Sequence, residues 1–539
     1  MDELRKNEEY LCAVTGCTSE GLGVARIGGR AVFVRDALPG ERCRVQLLKV
    51  SRSAVYARVL ARETVSPLRT APDCPHYGRC GGCDWRHVTY AGELEYKLQR
   101  VNDALQRIGG LSLRAETILP APAVERYRAK AIFAVGEAQG RPVTGFYRAR
   151  SHEVIPVEDC LLQTEEANRA AAALRRWMEE NRVPPWDEKT GRGLVRHLFV
   201  RSGMVCVSAA GEPVCSGELI AALRADLPGL KSAVWNVNRS GGNVVLAGEF
   251  RTLWGEDEVE VALSGLRFRL SPRSFFQVNP AQAERLYALA VDFAGLTGGE
   301  LAVDLYCGAG AIGLLAASRA REVVGVEAVA AAVADAGETA RRNGVPNIRF
   351  LCADAAEAAA RFASEGLRPD VLFADPPRKG LDPRVIDSIA AMGPKTVVYV
   401  SCDPGTLARD LKLFAQRGYA AEKAAAVDMF PRTRHVETVC LLSKLSEAKH
   451  HISVQVDMDE LDLTAAESKA TYEEIQKWVK EEYGFHVTHL NIAQVKRKHG
   501  IIERENYNKA KSPDSKQPGC PEEKVKAIEA ALKHFQMIE

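Results

Sequence analysis

The chain lacks any apolar run approaching the ~18 residues that a membrane span needs, and its first ten residues, MDELRKNEEY, are charged. That pattern excludes a secretory signal and a spanning helix, and it predicts a cytoplasmic protein whose thiols stay reduced. Net charge is nearly absent too: 72 Lys and Arg against 70 Asp and Glu, a formal +2. A bulk polyanion binder is not indicated, so any nucleic-acid contact must come from a local patch. No long repeat and no low-complexity tract interrupts the 539 residues, a length too great for one core.

Fourteen cysteines are present. In a reducing compartment they argue for metal or catalytic roles at a few positions, not for disulfides. Cys12, Cys17, Cys43, Cys206, Cys215, Cys352 and Cys440 stand singly among apolar or turn residues and read as small core side chains. Cys74, Cys80 and Cys83 fall within ten residues in a C-x5-C-x2-C arrangement, and Cys160 is a candidate fourth. Four thiolates suit tetrahedral zinc or an iron–sulfur cluster, and spacing alone favours zinc.

The chemistry of the chain is announced near its end. Ser401-Cys402-Asp403-Pro404 closes an apolar run at 396–400, and a strand at 436–442 brings Glu437. A thiol at a strand end can add to an electrophilic ring carbon, and a nearby carboxylate can take up a proton. Upstream, strands and helices alternate over 274–444, the pattern of a doubly wound parallel sheet. Strands are expected at 301–305, 322–327, 348–352, 371–374, 396–400 and 436–442. The turn Tyr306-Cys307-Gly308-Ala309-Gly310 follows the first. Glu327 ends the second, where an acid can hold ribose hydroxyls. Asp354 follows the third, facing adenine, and Asp375-Pro376-Pro377-Arg378 ends the fourth. The turn is read as distinct from the GxGxxG dinucleotide fingerprint, and the combined motifs favour S-adenosylmethionine (SAM) over NAD. Solvated strand-end acids explain any one of these residues but poorly explain all three. Cys307 is a rival thiol, better explained as packing in the cofactor turn.

Residues 7–63 alternate short period-two runs with glycine turns, which implies a small antiparallel barrel. The stretch GLGVARIGGRAVFVRDALPGERCRV resembles a TRAM domain, an OB-like RNA-binding barrel; a packing barrel is the alternative. Residues 64–272 form a strand-rich central domain with helices at 91–108 and 163–180. Within it, Arg126, Arg128, Lys130, Arg141, Arg148 and Arg150 face one acid, Glu137. That run, with Arg192, Arg196 and Arg201, is expected to touch phosphates, or else to be a solvated face. Residues 445–539 change character, with helices expected at 468–483, 486–500 and 522–537 and a loop rich in proline and lysine at 511–521. Lys496, Arg497 and Lys498 make a basic cluster there; RNA contact and simple solvation both account for it.

SerCysAspPro, ArgHisValGluThr, AspProProArg and SerPhePheGlnValAsn (274–279) together resemble the TrmA-type RNA (uracil-5-)-methyltransferases. With the TRAM-like start and the cysteine set, the chain resembles the 23S rRNA members over residues 7–444. The resemblance implies a class I (Rossmann-like) SAM domain at 273–444, with Cys402 as nucleophile at uracil C6 and Glu437 as general base. It further implies Gln277, Tyr306, Glu327 and Asp375 as SAM-site residues beside Asp354, and Phe275 near the target base. It turns the metal preference to a [4Fe-4S] cluster on Cys74, Cys80, Cys83 and Cys160. Ala311 departs from the asparagine of many relatives and removes one side-chain contact. The expected substrate is 23S rRNA, the product 5-methyluridine, the enzyme a monomer without obligate protein partner. The alternatives are tRNA, a cytosine-5 RNA methyltransferase, and a non-catalytic RNA-binding protein.

Overall fold

A computed structural model of the chain describes residues 4–242, 244–445, 472–499, 520–535 and 537–538. Two compact units, Met1–Ser446 and Glu447–Glu539, divide it. The first opens with five strands, Glu9–Cys17, Gly23–Ile27, Arg30–Arg35, Arg42–Val50 and Val55–Thr64, closed into a barrel. Their alternation sends Val14, Ala25, Val32, Val34, Val45 and Leu47 inward as a sealed core. Glu41 is buried at the rim, where its carboxylate accepts from Leu38 N at 2.9 Å and pairs with Arg69 Nε at 2.5 Å. A buried acid with that pairing ties the barrel to the segment leading into the cysteine loop.

Seven strands build the central sheet in the order Glu249–Gly255, Ser232–Val237, Met204–Ala209, Val195–Arg201, Lys130–Ala138, Arg141–Tyr147 and Val154–Pro156. Helices Glu165–Glu180 and Ser216–Asp226 pack on it, with Trp177 and Trp235 edge to face at 6.3 Å in the shared core. A ribbon of Val259–Leu263 and Leu266–Leu270 links this layer to the next.

The last sheet of the unit sets the site. Its eight strands run Ile348–Cys352, Glu322–Glu327, Leu301–Leu305, Val371–Ala374, Thr396–Ser401, Glu437–Lys444, Tyr419–Val427 and Ile118–Leu119. The first five are parallel; Glu437–Lys444 enters antiparallel to Thr396–Ser401. Chain order reverses between Leu301–Leu305 and Val371–Ala374, and at such a switch point helices leave toward opposite faces and open a crevice. Core clusters on both faces bury the central strands Val371–Ala374 and Thr396–Ser401 almost throughout, which is why they read as apolar runs, while the outer strands Ile348–Cys352 and Tyr419–Val427 keep exposed residues. Ile118–Leu119, from the segment assigned to the central domain, pairs with Tyr419–Val427. The helix just before it, Tyr90–Arg107, packs on Pro404–Ala415.

In the second unit, helices Tyr472–Tyr483, His489–Lys498 and Glu522–His534 enclose Ile475, Val479, Ile492, Val495, Ile528 and Leu532. Residues 468–471 of the expected first helix, and most of the expected loop at 511–521, lie outside the described residues. Among the described residues no helix is long and apolar enough to cross a membrane.

Candidate active site

A cavity of about 1480 Å³ opens at the carboxyl edge of the parallel strands. It is lined by Gln277, Tyr306, Glu327, Asp375, Cys402 and Glu437, six of the seven residues expected there, and by Phe275 and Arg378. The turn after Leu301–Leu305 takes left-handed backbone at Tyr306 (φ 65°), Gly308 (φ 54°) and Gly310 (φ 82°). Gly310 is obligatory for a second reason: a Cβ there would stand 2.9 Å from the Phe350 ring. Glu327 fixes the turn, accepting from Gly308 N at 3.1 Å and Val329 N at 2.9 Å. Asp304 lies beneath, accepting from Gly313 N at 2.9 Å; burial holds its carboxyl up at about 8. The spacing Gly308-x-Gly310-x-x-Gly313 does match a dinucleotide fingerprint, so the turn by itself does not separate the two cofactor classes.

Strand register brings the reacting groups together. Ser401 pairs with Thr438 across the antiparallel ladder, and just past that pair Cys402, beyond its strand's end, and Glu437, at its strand's start, both line the cavity. Glu437 is 5% exposed, and burial, then the charge of Asp375, lift its carboxyl to about 8 against the pull of Arg378. Asp375 is lifted to about 7 by burial. The Cys402 thiol is raised to about 11 by burial, then by Glu437 and Asp375, with Arg378 opposing. Cys402, Glu437 and Asp375 thus share one end of the enclosure with Arg378. Near neutral pH such a set passes protons among its members readily, since the two carboxyls titrate close to the working pH. His435, also on the cavity wall, is kept neutral: burial, then Arg378, Arg434, Arg100 and Lys97, bring it down to about 4. Neither Arg378 nor His435 was given a role by the sequence; the motif quoted around each was the signal.

Phe275 stands at the mouth, 69% exposed, with Lys130 Nζ 5.6 Å from its ring centre. An apolar ring held out in water beside a cation offers a stacking surface.

Several expected residues are placed elsewhere. Asp354 is not on the cavity wall. Its carboxylate caps helix Ala355–Ser364, accepting from Ala356 N and Glu357 N. Arg196 and Arg201 are 8% and 3% exposed and cannot meet a phosphate. Arg196 donates to Asn238 O and Ser240 O, Arg201 to Ser271 O and Ser274 O. Their role is to hold loops, Arg201 the one bearing Phe275. Arg126 and Arg148 pair with Asp159 and Glu153, while Arg141, Arg150 and Arg192 remain exposed.

The four cysteines do meet. Cys74, Cys80, Cys83 and Cys160 line a cavity of about 60 Å³ with Arg86, Arg128 and Gln163. Burial, chiefly, raises the thiols of Cys80, Cys83 (to about 12) and Cys160, and each is raised further by its neighbouring cysteines. Arg86 Nε, Arg128 Nε and Gln163 Oε1 are buried without a hydrogen-bond partner. Among the described residues no three His, Cys, Asp or Glu side chains stand as the ligands of a metal ion.

Comparison with known proteins places this architecture. The family model described as tRNA (uracil-5-)-methyltransferase matches residues 220–445, and that of the TRAM domain matches residues 3–60. An uncharacterized RNA methyltransferase of Caldanaerobacter subterraneus subsp. tengcongensis is 40% identical over 452 residues, 83% of this chain and 100% of its own. One from Listeria monocytogenes is 40% identical over 446 residues, 81% of this chain and 98% of its own. The solved tRNA (uracil-54, C5)-methyltransferase of Pyrococcus abyssi, in complex with S-adenosyl-L-homocysteine, superposes with a TM-score of 0.65 at 26% identity. That likeness covers 80% of this chain and 99% of the archaeal one. The chain belongs to the TRAM-bearing RNA methyltransferases of the uracil-5 family.

Proposed function

We propose that this protein methylates C5 of a uridine in 23S rRNA, using SAM, with Cys402 as nucleophile and Glu437 as general base. The observation that carries the reading is that Cys402 and Glu437, at the ends of two paired strands, line one enclosure with the glycine turn. Gln277, Tyr306, Glu327 and Asp375 are the residues that would hold SAM, which supplies an electrophilic methyl carbon. Asp354 would act only through the loop it caps.

Uracil C5 is too weak a nucleophile to take a methyl group unaided. The Cys402 thiol gives up its proton to solvent and its sulfur bonds to C6, leaving an enolate whose C5 is carbanion-like. C5 takes the methyl group as the methyl–sulfonium bond breaks and its electron pair stays on that sulfur. Glu437, in its ionised form, then removes the C5 proton, and the C6–S bond breaks to restore the ring and the thiolate. Arg378, whose charge acts on both Cys402 and Glu437, compensates charge as it builds. Such chemistry needs the base out of its stack, and Phe275 gives the splayed strand a surface to rest on.

The four cysteines line one cavity, and four thiolates are the donor set of either a zinc ion or an iron–sulfur cluster. The partnerless Nε–H groups of Arg86 and Arg128 suit the sulfurs of an anionic group. A [4Fe-4S] cluster on Cys74, Cys80, Cys83 and Cys160 would cross-link residues 74–83 to 160, and methylation asks no redox change of it. Anaerobically purified protein should then carry about four irons and about four labile sulfides per chain, lost in Cys83→Ser; stoichiometric zinc instead would contradict this.

A second reading, the same reaction on tRNA, is favoured by the substrate of the archaeal structure. Incubation with tritiated SAM and unmodified transcripts of 23S rRNA and of tRNA, followed by nucleoside chromatography, separates the two. Label in 5-methyluridine of the 23S transcript is expected. Label confined to tRNA transfers the substrate, and label in 5-methylcytidine overturns the reaction.

A further inference from the structure

The base, Glu437, is delivered by residues 428–436, and that segment is gripped from more than 300 residues away. Glu93, Lys97 and Arg100 lie on helix Tyr90–Arg107 at spacings of four and three, one face of the helix. Lys97 is 0% exposed; its Nζ donates to Glu93 Oε1 at 2.7 Å, Asp428 Oδ1 at 2.5 Å and Phe430 O at 3.1 Å. Glu93 accepts from Arg432 N at 2.7 Å. Arg100 donates to Arg434 O at 2.7 Å and holds its other nitrogen 3.8 Å from Asp403 Oδ2. Asp403 is the residue after Cys402, and Arg434 lies three before Glu437.

Two features argue that this stripe does more than pack the helix. Buried charges add little net stability compared with apolar side chains of the same size, so a helix that needed only to dock would carry leucines here. In addition, Arg432 sits at φ 66°, a strained backbone for a non-glycine residue, which persists only where its surroundings over-determine it.

We propose that Glu93, Lys97 and Arg100 are positioning residues that set the separation of nucleophile and base, Arg100 by bridging the Cys402 turn to the Glu437 segment. This rests on the methylation mechanism above, but part of its test does not. Without RNA, the rate at which iodoacetamide alkylates Cys402 reports how close the Glu437 charge stands. Removing a cation directly would raise the thiol and slow alkylation; letting the base move away lowers it and speeds alkylation. Arg100→Gln is therefore expected to be alkylated about three- to tenfold faster at pH 8.5.

With a 23S transcript carrying [5-³H]uridine, tritium release is expected to fall about 10- to 100-fold, the scale of an ångström of misplacement. On 5-fluorouridine RNA, whose C5 fluorine cannot leave as a proton does, covalent adduct should still form at close to the parent rate. Lys97→Met should move both readouts the same way; Arg100→Gln, at a partly exposed site, serves if that variant does not fold. Unchanged or slower alkylation in Arg100→Gln overturns the proposal, as does a parallel fall of adduct and release. If the parent releases no tritium, the methylation reading fails, and alkylation still decides the positioning.

Discussion

Replacing Glu437 by glutamine probes the enclosure most sharply, because it keeps the shape of the carboxylic acid and removes its titration. The folded site lifts this carboxyl from 4.5 to about 8. The protonated form is therefore favoured by folding. The cost of ionising it is absent below the unfolded value, grows as pH rises and is complete above about 8. At about 1.4 kcal/mol per pH unit, the gap sets a ceiling of about 5 kcal/mol, which coupling to Asp375 and relaxation reduce to about 2–3 kcal/mol. Glu437→Gln should thus unfold within about a degree or two of the parent at pH 5, and several degrees higher at pH 9. Thermal unfolding of both proteins at the two pH values measures it, with turnover of the variant abolished. An equal midpoint difference at pH 5 and pH 9 would refute the argument, since Glu437 would then not be held neutral by its surroundings.

Methyl transfer by the parent should rise through about pH 7 to 8, as Asp375 and Glu437 ionise to their base forms, and level off above; a flat profile of single-turnover rate between pH 6 and 9 would contradict this. Phe275→Ala should leave the unfolding midpoint unchanged and weaken RNA binding by about 1–3 kcal/mol, the worth of one stacked base, read by filter binding. Arg196→Ala should lower the unfolding midpoint, because two carbonyls lose their donor, while the salt dependence of RNA binding stays as in the parent.

Much of the site was legible because doubly wound sheets place strand ends at their ligands. The apolar runs located the strands, and so Cys402, Asp375, Glu327 and the glycine turn fell on one edge. Pairing order was not legible: nothing local says that Glu437–Lys444 inserts beside Thr396–Ser401, or that Ile118–Leu119 joins the same sheet. Charge misled where burial decides. Arg196 and Arg201 lie on a strand covered on both faces, a context that a count of basic residues does not contain. Asp354 occupies a strand-end position, but the helix that follows claims its Oδ1 as a cap. The grip of Lys97 on Asp428 spans 331 positions, and no periodicity links such partners.

Cys402, and not Cys307, is expected to attack the base. The direct measurement is to trap the protein on 5-fluorouridine-substituted 23S transcript with SAM, digest both chains, and sequence the cross-linked peptide by mass spectrometry. A methylated fluorouridine is expected on the peptide containing Cys402, and no adduct with Cys402→Ala. An adduct on Cys307, or full methylation by Cys402→Ala, would contradict it.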